Sequence, residues 1–433
     1  MNTGNQKGSA MTALKRSRAR SLAAASGLAL CLALTACNSA ASDDDGSSSA
    51  GGVNLDDCPD PAAVKKEIKD QITLGYSAPL SGPVAGVVEV SSRGFKARIE
   101  AANAAGGIDG VPIKIEYLDD AFSPDKAKAN VTQFIEKMDV DILNTFGAGQ
   151  VGAMADDQNA ACVPLLYPSS SDPKYLDMKN YPWTVQFLPS AAAETSVLVH
   201  LIQEKVPDAV VGVAENETAS GKAQSEAFQE AAKEAGLDIK LVTSDTDPNA
   251  AATALKEAGA TVVYHAGVVG TCGAFDTARG RIGYEPELVV AASNCANAAE
   301  YLASGDAADG VTILRYYKDP ADPALKDDAA VKEYLAALGD ADDPSNSITV
   351  AGWLQADLLV NTLQQAADSD AGLSQLGIIE AARDQDYAAP ILINGINWVS
   401  AADRPAGVNG FEPISWSTAE KRFVSAGDVV PTK

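Results

Sequence analysis

Histidine is nearly missing from this 433-residue chain, which has only His200 and His265. Two imidazoles cannot build a histidine-rich metal site, and the cysteines are spaced too far apart to replace them. Cations are also outnumbered, with 33 lysines and arginines against 58 acids and a net charge of −25. A surface of that sign repels phosphate backbones, so nucleic acid is not expected as a partner. There is no G-x-S-x-G elbow and no P-loop, which leaves serine-elbow acyl transfer and phosphate-loop chemistry without their signatures. Beyond the first 36 residues no apolar run approaches membrane-spanning length. These absences argue against an enzyme, and no cofactor or metal is expected.

The chain opens with Lys7, Lys15, Arg16, Arg18 and Arg20, followed by an apolar run from Leu22 to Ala33 and then Leu34-Thr35-Ala36-Cys37. Residues 1–36 read as a signal peptide, too short and too one-sided in charge to span a membrane. The ending resembles the lipobox of bacterial lipoproteins, Leu-x-Ala-Cys, which implies cleavage before Cys37 and a thioether-linked lipid on it. An ordinary secretory signal with a chance cysteine is the alternative. Residues 37–57 then form a tether, because 38–53 is Ser, Gly, Ala and Asp without apolar periodicity. The folded part is expected on the outer face of the cell membrane, as a monomer. About 370 residues follow the tether, enough for two domains that each bury a core.

With Cys31 lost in the leader and Cys37 lipidated, Cys58, Cys162, Cys272 and Cys295 remain. An even number outside the cytoplasm reads as disulfides, although the sequence does not fix the pairing. Cys58 with Cys162 and Cys272 with Cys295 is the favoured arrangement, and free buried thiols are the alternative.

From residue 72 onward strand and helix signals alternate. Ile72 to Tyr76, Val111 to Tyr117, Val140 to Thr145 and Val163 to Tyr167 read as strands, separated by stretches whose apolar residues recur at helical spacing. A second set follows Gln186-Phe187-Leu188-Pro189, with strands at Ala209 to Val213, Asp238 to Val242, Thr261 to Tyr264 and Leu288 to Ala291. Such alternation predicts α/β architecture, a parallel sheet covered on both faces in each of two domains. Between the third strand and a helix from Met154 to Ala161 lies the glycine-rich turn Phe146 to Ala153. Unpaired N–H groups at the positive end of a helix suit a carboxylate or phosphate. Gly147, Gly149 and Gly152 also spell G-x-G-x-x-G. A dinucleotide-binding enzyme is the remote alternative, since that fingerprint belongs in the first strand-turn-helix unit and here two units precede it.

Three segments carry a resemblance: Pro79-Leu80-Ser81-Gly82 after the first strand, Asn103-Ala104-Ala105-Gly106-Gly107-Ile108-Asp109-Gly110 after the first helix, and Tyr117-Leu118-Asp119-Asp120 after the second strand. In that order they are similar to the leucine/isoleucine/valine-binding proteins, extracytoplasmic receptors of ABC importers, and the likeness runs from Gln71 onward. It implies a type I periplasmic binding protein-like fold of two doubly wound parallel-sheet lobes joined by three crossovers, near Phe187, near Arg315 to Lys318 and near Asn394 to Val399. Lobe one would comprise 71–187 plus 316–396, and lobe two 188–315 plus 397–433. The ligand's carboxylate or other polar head would be held by the Gly147 turn, with Ala148, Gly149 and Gln150, and by Ser169, Ser170 and Ser171. Serine hydroxyls and helix N–H groups can satisfy an oxyanion without a buried lysine or arginine. Asp119 and Asp120 would be scaffold, as the same pair is in the family.

The departures from the family matter as much. Its amino-acid receptors carry a hydroxyl in the Gly147 turn, where this chain has Ala148 and Gly149. They also place an acid against the ligand's ammonium after the strand ending at Ala291, where this chain has Ser293-Asn294-Cys295. Val268 and Ala219 stand about where tyrosines close over the ligand, and Glu215 and Glu217 are candidates to replace the missing acid. His265 would lie near the cleft, more plausibly as a structural residue, and His200 on a helix. The expectation is a solute-binding lipoprotein that takes a small carboxylate or amide with an apolar body and no ammonium, and delivers it to an ABC permease complex. The alternative is a branched-chain amino acid receptor. A structural or adhesive lipoprotein would leave the glycine and serine turns unexplained.

Anchoring is tested at Cys37. Metabolic labelling with a palmitate analogue should mark the wild-type protein, and Cys37→Ser should release it or leave it unprocessed; an unlabelled wild type would refute the lipobox reading.

Overall fold

The structure is a computed structural model, and the residues it describes are 52–340, 343–401 and 404–432. Cys37, the leader and most of the tether lie outside them. The first sheet is built from β1 (Ile72–Ala78), β2 (Ile113–Asp119), β3 (Ile142–Thr145), β4 (Leu165–Leu166) and β5 (Thr184–Val185), in the order β2-β1-β3-β4-β5 and all parallel. In β1 every residue but Thr73 is buried, as a central parallel strand covered on both faces requires. The strands are linked by α1 (Ala85–Ala104), α2 (Pro124–Lys137) and α3 (Ala148–Ala161).

The chain then crosses to the second lobe. There follow α4 (Ala191–Lys205), β6 (Val210–Glu215), α5 (Ala219–Glu234), β7 (Asp238–Ser244), α6 (Pro248–Glu257), β8 (Val262–Ala266), α7 (Cys272–Arg281), β9 (Leu288–Ala291), α8 (Ala298–Ser304) and β10 (Thr312–Arg315). Helix starts follow local chemistry: Asp247 accepts from the N–H groups of Asn249 and Ala250, with Pro248 next, where its missing N–H costs nothing. After β10 the chain returns to the first lobe as α9 (Ala329–Leu338), α10 (Ser347–Ala367) and α11 (Gln375–Ala382). It then forms β11 (Gln385–Tyr387), β12 (Trp398–Ala401) and β13 (Arg404–Val408), a separate antiparallel sheet in the order β11-β12-β13. Finally β14 (Gly410–Ser417) and β15 (Arg422–Ser425) complete the second sheet, β15-β14-β10-β9-β8-β6-β7, in which β14 pairs antiparallel with both β10 and β15.

The fold is thus two doubly wound lobes joined by three passages. The first, at Phe187, stacks on Trp398 with ring centroids 5.6 Å apart. The second and third are hydrogen-bonded to each other: Ile393 N donates to Tyr316 O at 3.0 Å and Lys318 N to Ile391 O at 2.9 Å. β12 and β13 lie beyond residue 396, yet β12 pairs with β11 and β13 with β12, and the chain joins the second sheet only at β14. The structure joins Cys58 to Cys162 and Cys272 to Cys295. Among the described residues no helix is long and apolar enough to cross a membrane.

The returning helix α10 closes the first lobe by lying directly on α1. A Cβ built on Gly94 would come 1.9 Å from Thr349 O, and one on Gly352 would come 2.0 Å from Ser91 O. Backbones this close tolerate no side chain, and the approach lets Arg98 reach Asp357 at 2.6 Å. Gly94→Ala or Gly352→Ala should therefore lower stability by about 1 to 3 kcal/mol through overpacking. Gly86→Ala, in the same helix with nothing within 4 Å, should leave it unchanged or slightly raised. Urea unfolding midpoints of the three variants decide between close packing and a general intolerance of alanine.

Candidate ligand-binding site

In each sheet the strand order reverses beside the first strand, β1 between β2 and β3, and β6 between β7 and β8. Loops leaving the carboxyl ends of such strands diverge and leave a crevice. The two crevices face one cavity of about 1200 Å3, lined from both lobes.

The lobe-one wall starts where β3 ends. Gly147 has φ 108°, a region open to glycine, and a Cβ there would lie 2.6 Å from Gln150 Oε1. Gly147 N donates to Ser169 O and Ser169 N to Thr145 O, each at 3.1 Å. These bonds fuse the glycine and serine loops into one unit. α3 begins at Ala148 rather than Met154, so the turn is only Phe146-Gly147, while Gly149 and Gly152 are helical. The G-x-G-x-x-G spacing therefore supplies no glycine loop, and the dinucleotide reading loses its support. Ala148, Gly149 and Gln150 line the cavity as the first turn of α3, whose N–H groups have no intrahelical acceptor and no described side-chain cap. Ser169, Ser170 and Ser171 stand beside them. Ser169 Oγ accepts from Gln355 Nε2 at 3.4 Å, and Ser170 O accepts from Leu188 N at 3.2 Å, which ties the wall to the first passage.

The lobe-two wall carries Ser293 and Val268, with Ala219 on the first turn of α5. It also carries a buried carboxyl that the sequence reading did not assign. Glu194, in the first turn of α4, is 1 % exposed and lines the cavity. Its Oε1 accepts from Ser293 N at 2.7 Å, and its Oε2 accepts from Ser293 Oγ at 2.7 Å and Gln224 Nε2 at 3.3 Å. Tyr264 OH donates to Gln224 Oε1 at 3.2 Å behind them. Burial pushes the Glu194 carboxyl above the usual range, and the Ser293 and Gln224 donors pull the other way. The acid that the Ser293-Asn294-Cys295 loop lacks is thus matched by a buried carboxyl from α4 on the same wall. Glu215 ends β6, its carbonyl accepts from Asp245 N at 2.8 Å, and it is not among the cavity-lining residues. Glu217 forms an exposed pair with Lys222 at 2.9 Å. One signal for Glu194 was available: on α4 it shares a helical face with the buried Ala191, Leu198 and Leu201.

Other side chains are placed away from chemistry. His265 is buried outside the cavity lining, its Nε2 3.1 Å from Asp245 Oδ2 and its ring against Phe275. Asp119 accepts from the N–H groups of Leu80, Ser81 and Ala121 and from Ser81 Oγ, with the hydroxyl the largest of the effects that lower its pKa. Asp120 accepts from Ser77 Oγ at 2.8 Å and Phe122 N at 2.8 Å. Carboxylates so loaded with donors hold loops rather than shuttle protons. Arg315 reaches the cavity lining at the second passage, paired with Asp319 and Glu412 at 3.3 Å each.

Residues 71–407 match a family model described as periplasmic binding protein. A Leu/Ile/Val-binding protein homolog of Brucella melitensis is 25% identical over 303 residues, 69% of this chain and 80% of that one. A leucine-, isoleucine-, valine-, threonine- and alanine-binding protein of Pseudomonas aeruginosa is 22% identical over 308 residues, 70% of this chain and 80% of that one. Among solved structures, a branched chain amino acid ABC transporter from Thermus thermophilus with bound valine superposes with a TM-score of 0.74 at 17% identity, covering 84% of this chain and 97% of that one. A solute binding protein from R. palustris in complex with benzoate gives 0.69 at 18% identity, with 84% and 97% covered. The structures share the fold.

Glu194 binds its proton more tightly in the folded chain than unfolded. Its contribution to stability is therefore complete below the ordinary glutamate pKa and is lost as pH rises through the folded value. The urea midpoint of the wild type relative to Glu194→Gln should accordingly fall between mildly acid pH and neutrality. A difference that stays flat with pH would mean the carboxyl is not perturbed.

Proposed function

Since the chain belongs to the periplasmic binding protein family, in its leucine/isoleucine/valine-binding branch, we propose that it captures a small organic solute bearing a carboxylate or amide head between its two lobes. We propose further that it stands on a lipid anchor at Cys37 on the outer face of the cell membrane and delivers the solute to an ABC permease complex. The observation that carries the ligand class is the uncapped first turn of α3, set beside Ser169 to Ser171 in one wall of the cavity. Donors without partners around an empty space suit an acceptor-rich head, and a carboxylate gains most from them. Val84, Val87, Phe146, Leu188 and Tyr316 line the same cavity and suit an aromatic or branched aliphatic body. The valine of the Thermus thermophilus protein and the benzoate of the R. palustris protein share a carboxylate and differ in the ammonium.

A second reading, a branched-chain amino acid, is favoured by Glu194. A carboxylate offers about four lone-pair sites and this one receives three donors, so it retains capacity for an ammonium. Mass spectrometry of molecules released from the mildly denatured protein would name a retained solute. Calorimetric titration with leucine and with 4-methylpentanoate, the same carbon skeleton without the amine, then separates the readings. Ser169→Ala should weaken the preferred solute by about tenfold, the magnitude of one hydrogen bond to a charged group. Tight leucine binding abolished by Glu194→Gln would establish the second reading, and a retained solute with neither carboxylate nor amide would overturn both.

A further inference from the structure

The loop after β2 contains two adjacent non-glycine residues in the left-handed region, Ala121 at φ 48° and Phe122 at φ 61°. Each such residue costs on the order of 1 kcal/mol, so the conformation persists only where its surroundings enforce it. They do: Asp119 Oδ1 accepts from Ala121 N at 2.9 Å and Asp120 Oδ1 from Phe122 N at 2.8 Å. Asp120 is itself fixed by Ser77 Oγ, which takes a further bond from Asn130 Nδ2 at 3.0 Å. The paired aspartates, the serine and the asparagine thus hold one short loop from behind.

What that loop presents is a phenylalanine that core packing does not explain. Phe122 is 41 % exposed and lines the interlobe cavity. Its Cε2 lies 3.0 Å from where a Cβ on Gly147 would stand, so its ring edge sits over the N-terminus of α3. From the other lobe the same cavity is lined by Ala219, Ala223 and Ala227, one small-residue stripe of α5 at intervals of four. An aromatic ring beside the head-binding turn, in a cavity to which the other lobe contributes these alanines together with Lys222, Glu226 and Glu230, is the geometry of a stacking platform.

We propose that Phe122 is a specificity-determining residue of the cleft, an aromatic platform that packs on the flat apolar body of a solute whose carboxylate is held by the first turn of α3. This rests on the carboxylate-head reading of the site. The rigid αL loop presents the ring already oriented, so little ordering cost falls on binding.

The test is calorimetric titration of the full chain with benzoate and with 4-methylpentanoate, using the wild type, Phe122→Ala and Phe122→Tyr. Phe122→Ala should weaken benzoate by about tenfold and 4-methylpentanoate by about twofold or less, while Phe122→Tyr should restore benzoate binding to near the wild type. Urea midpoints of both variants check that they fold. If Phe122→Ala unfolds the protein, the benzoate preference of Phe122→Leu, which keeps apolar bulk without a ring, carries the same comparison. An unchanged ratio of the two affinities in the ring-less variant would overturn the platform and leave the carboxylate reading standing. Failure of the wild type to bind either acid would overturn both.

Discussion

A parallel sheet cannot cover its own switch point, and this constraint organises the protein. Where strand order reverses, the helices leaving neighbouring strands diverge and their first-turn N–H groups point into open space. In this chain the reversal occurs at β1/β3 in one lobe and β6/β8 in the other, and the cavity lies where the two face each other. The uncapped start of α3 stays unsatisfied because Gly147 brings no side chain to fill it. Packing elsewhere, such as the contact of α1 on α10 through Gly94 and Gly352, keeps that opening in place.

Charge is handled by the same economy of donors. The chain is strongly acidic, yet its key loop and wall carboxylates are held by their own lobes. Glu194, the buried acid of the cavity lining, takes Ser293 and Gln224, and farther back Asp119 and Asp120 take the backbone of their own loop. Burying a carboxylate without donors would be expensive, and with them it becomes a fixed point around which a wall is built. Of opposite sign, Arg315 sits at the second passage between Asp319 of the outgoing strand's continuation and Glu412 of β14.

The crossings explain how two lobes share one cavity. The first passage stacks Phe187 on Trp398, while the second and third are hydrogen-bonded to each other through Tyr316 and Lys318. Passages bound together in this way bring the three crossings into contact on one side of the cavity. Ser170 lies one hydrogen bond from the first passage, so the lobe-one wall of the cavity is tied directly to it.

Strand and helix alternation alone determined the α/β class and the two sets of parallel strands, because a period of 2 or 3.6 survives any tertiary arrangement. The order of short motifs and the Gly147 and Ser169 to Ser171 turns placed one wall of the cleft, since loops at the ends of parallel strands meet in known positions. Three things were decided only in three dimensions. The small β11-β12-β13 sheet joins residues with no shared pattern, and Trp398 pairs there because Tyr167 and Phe187 are across from it. The buried acid lining the second wall is Glu194, while Glu215 lies outside the lining, because Ser293, 99 residues away in sequence, supplies donors that make burial affordable. The exposure of Phe122 follows from backbone angles that its sequence neighbours do not announce, enforced by Asp120 through a serine 43 residues away. Periodicity and turn chemistry are local and can be read along the chain; which polar group meets which partner is a matter of distance in space.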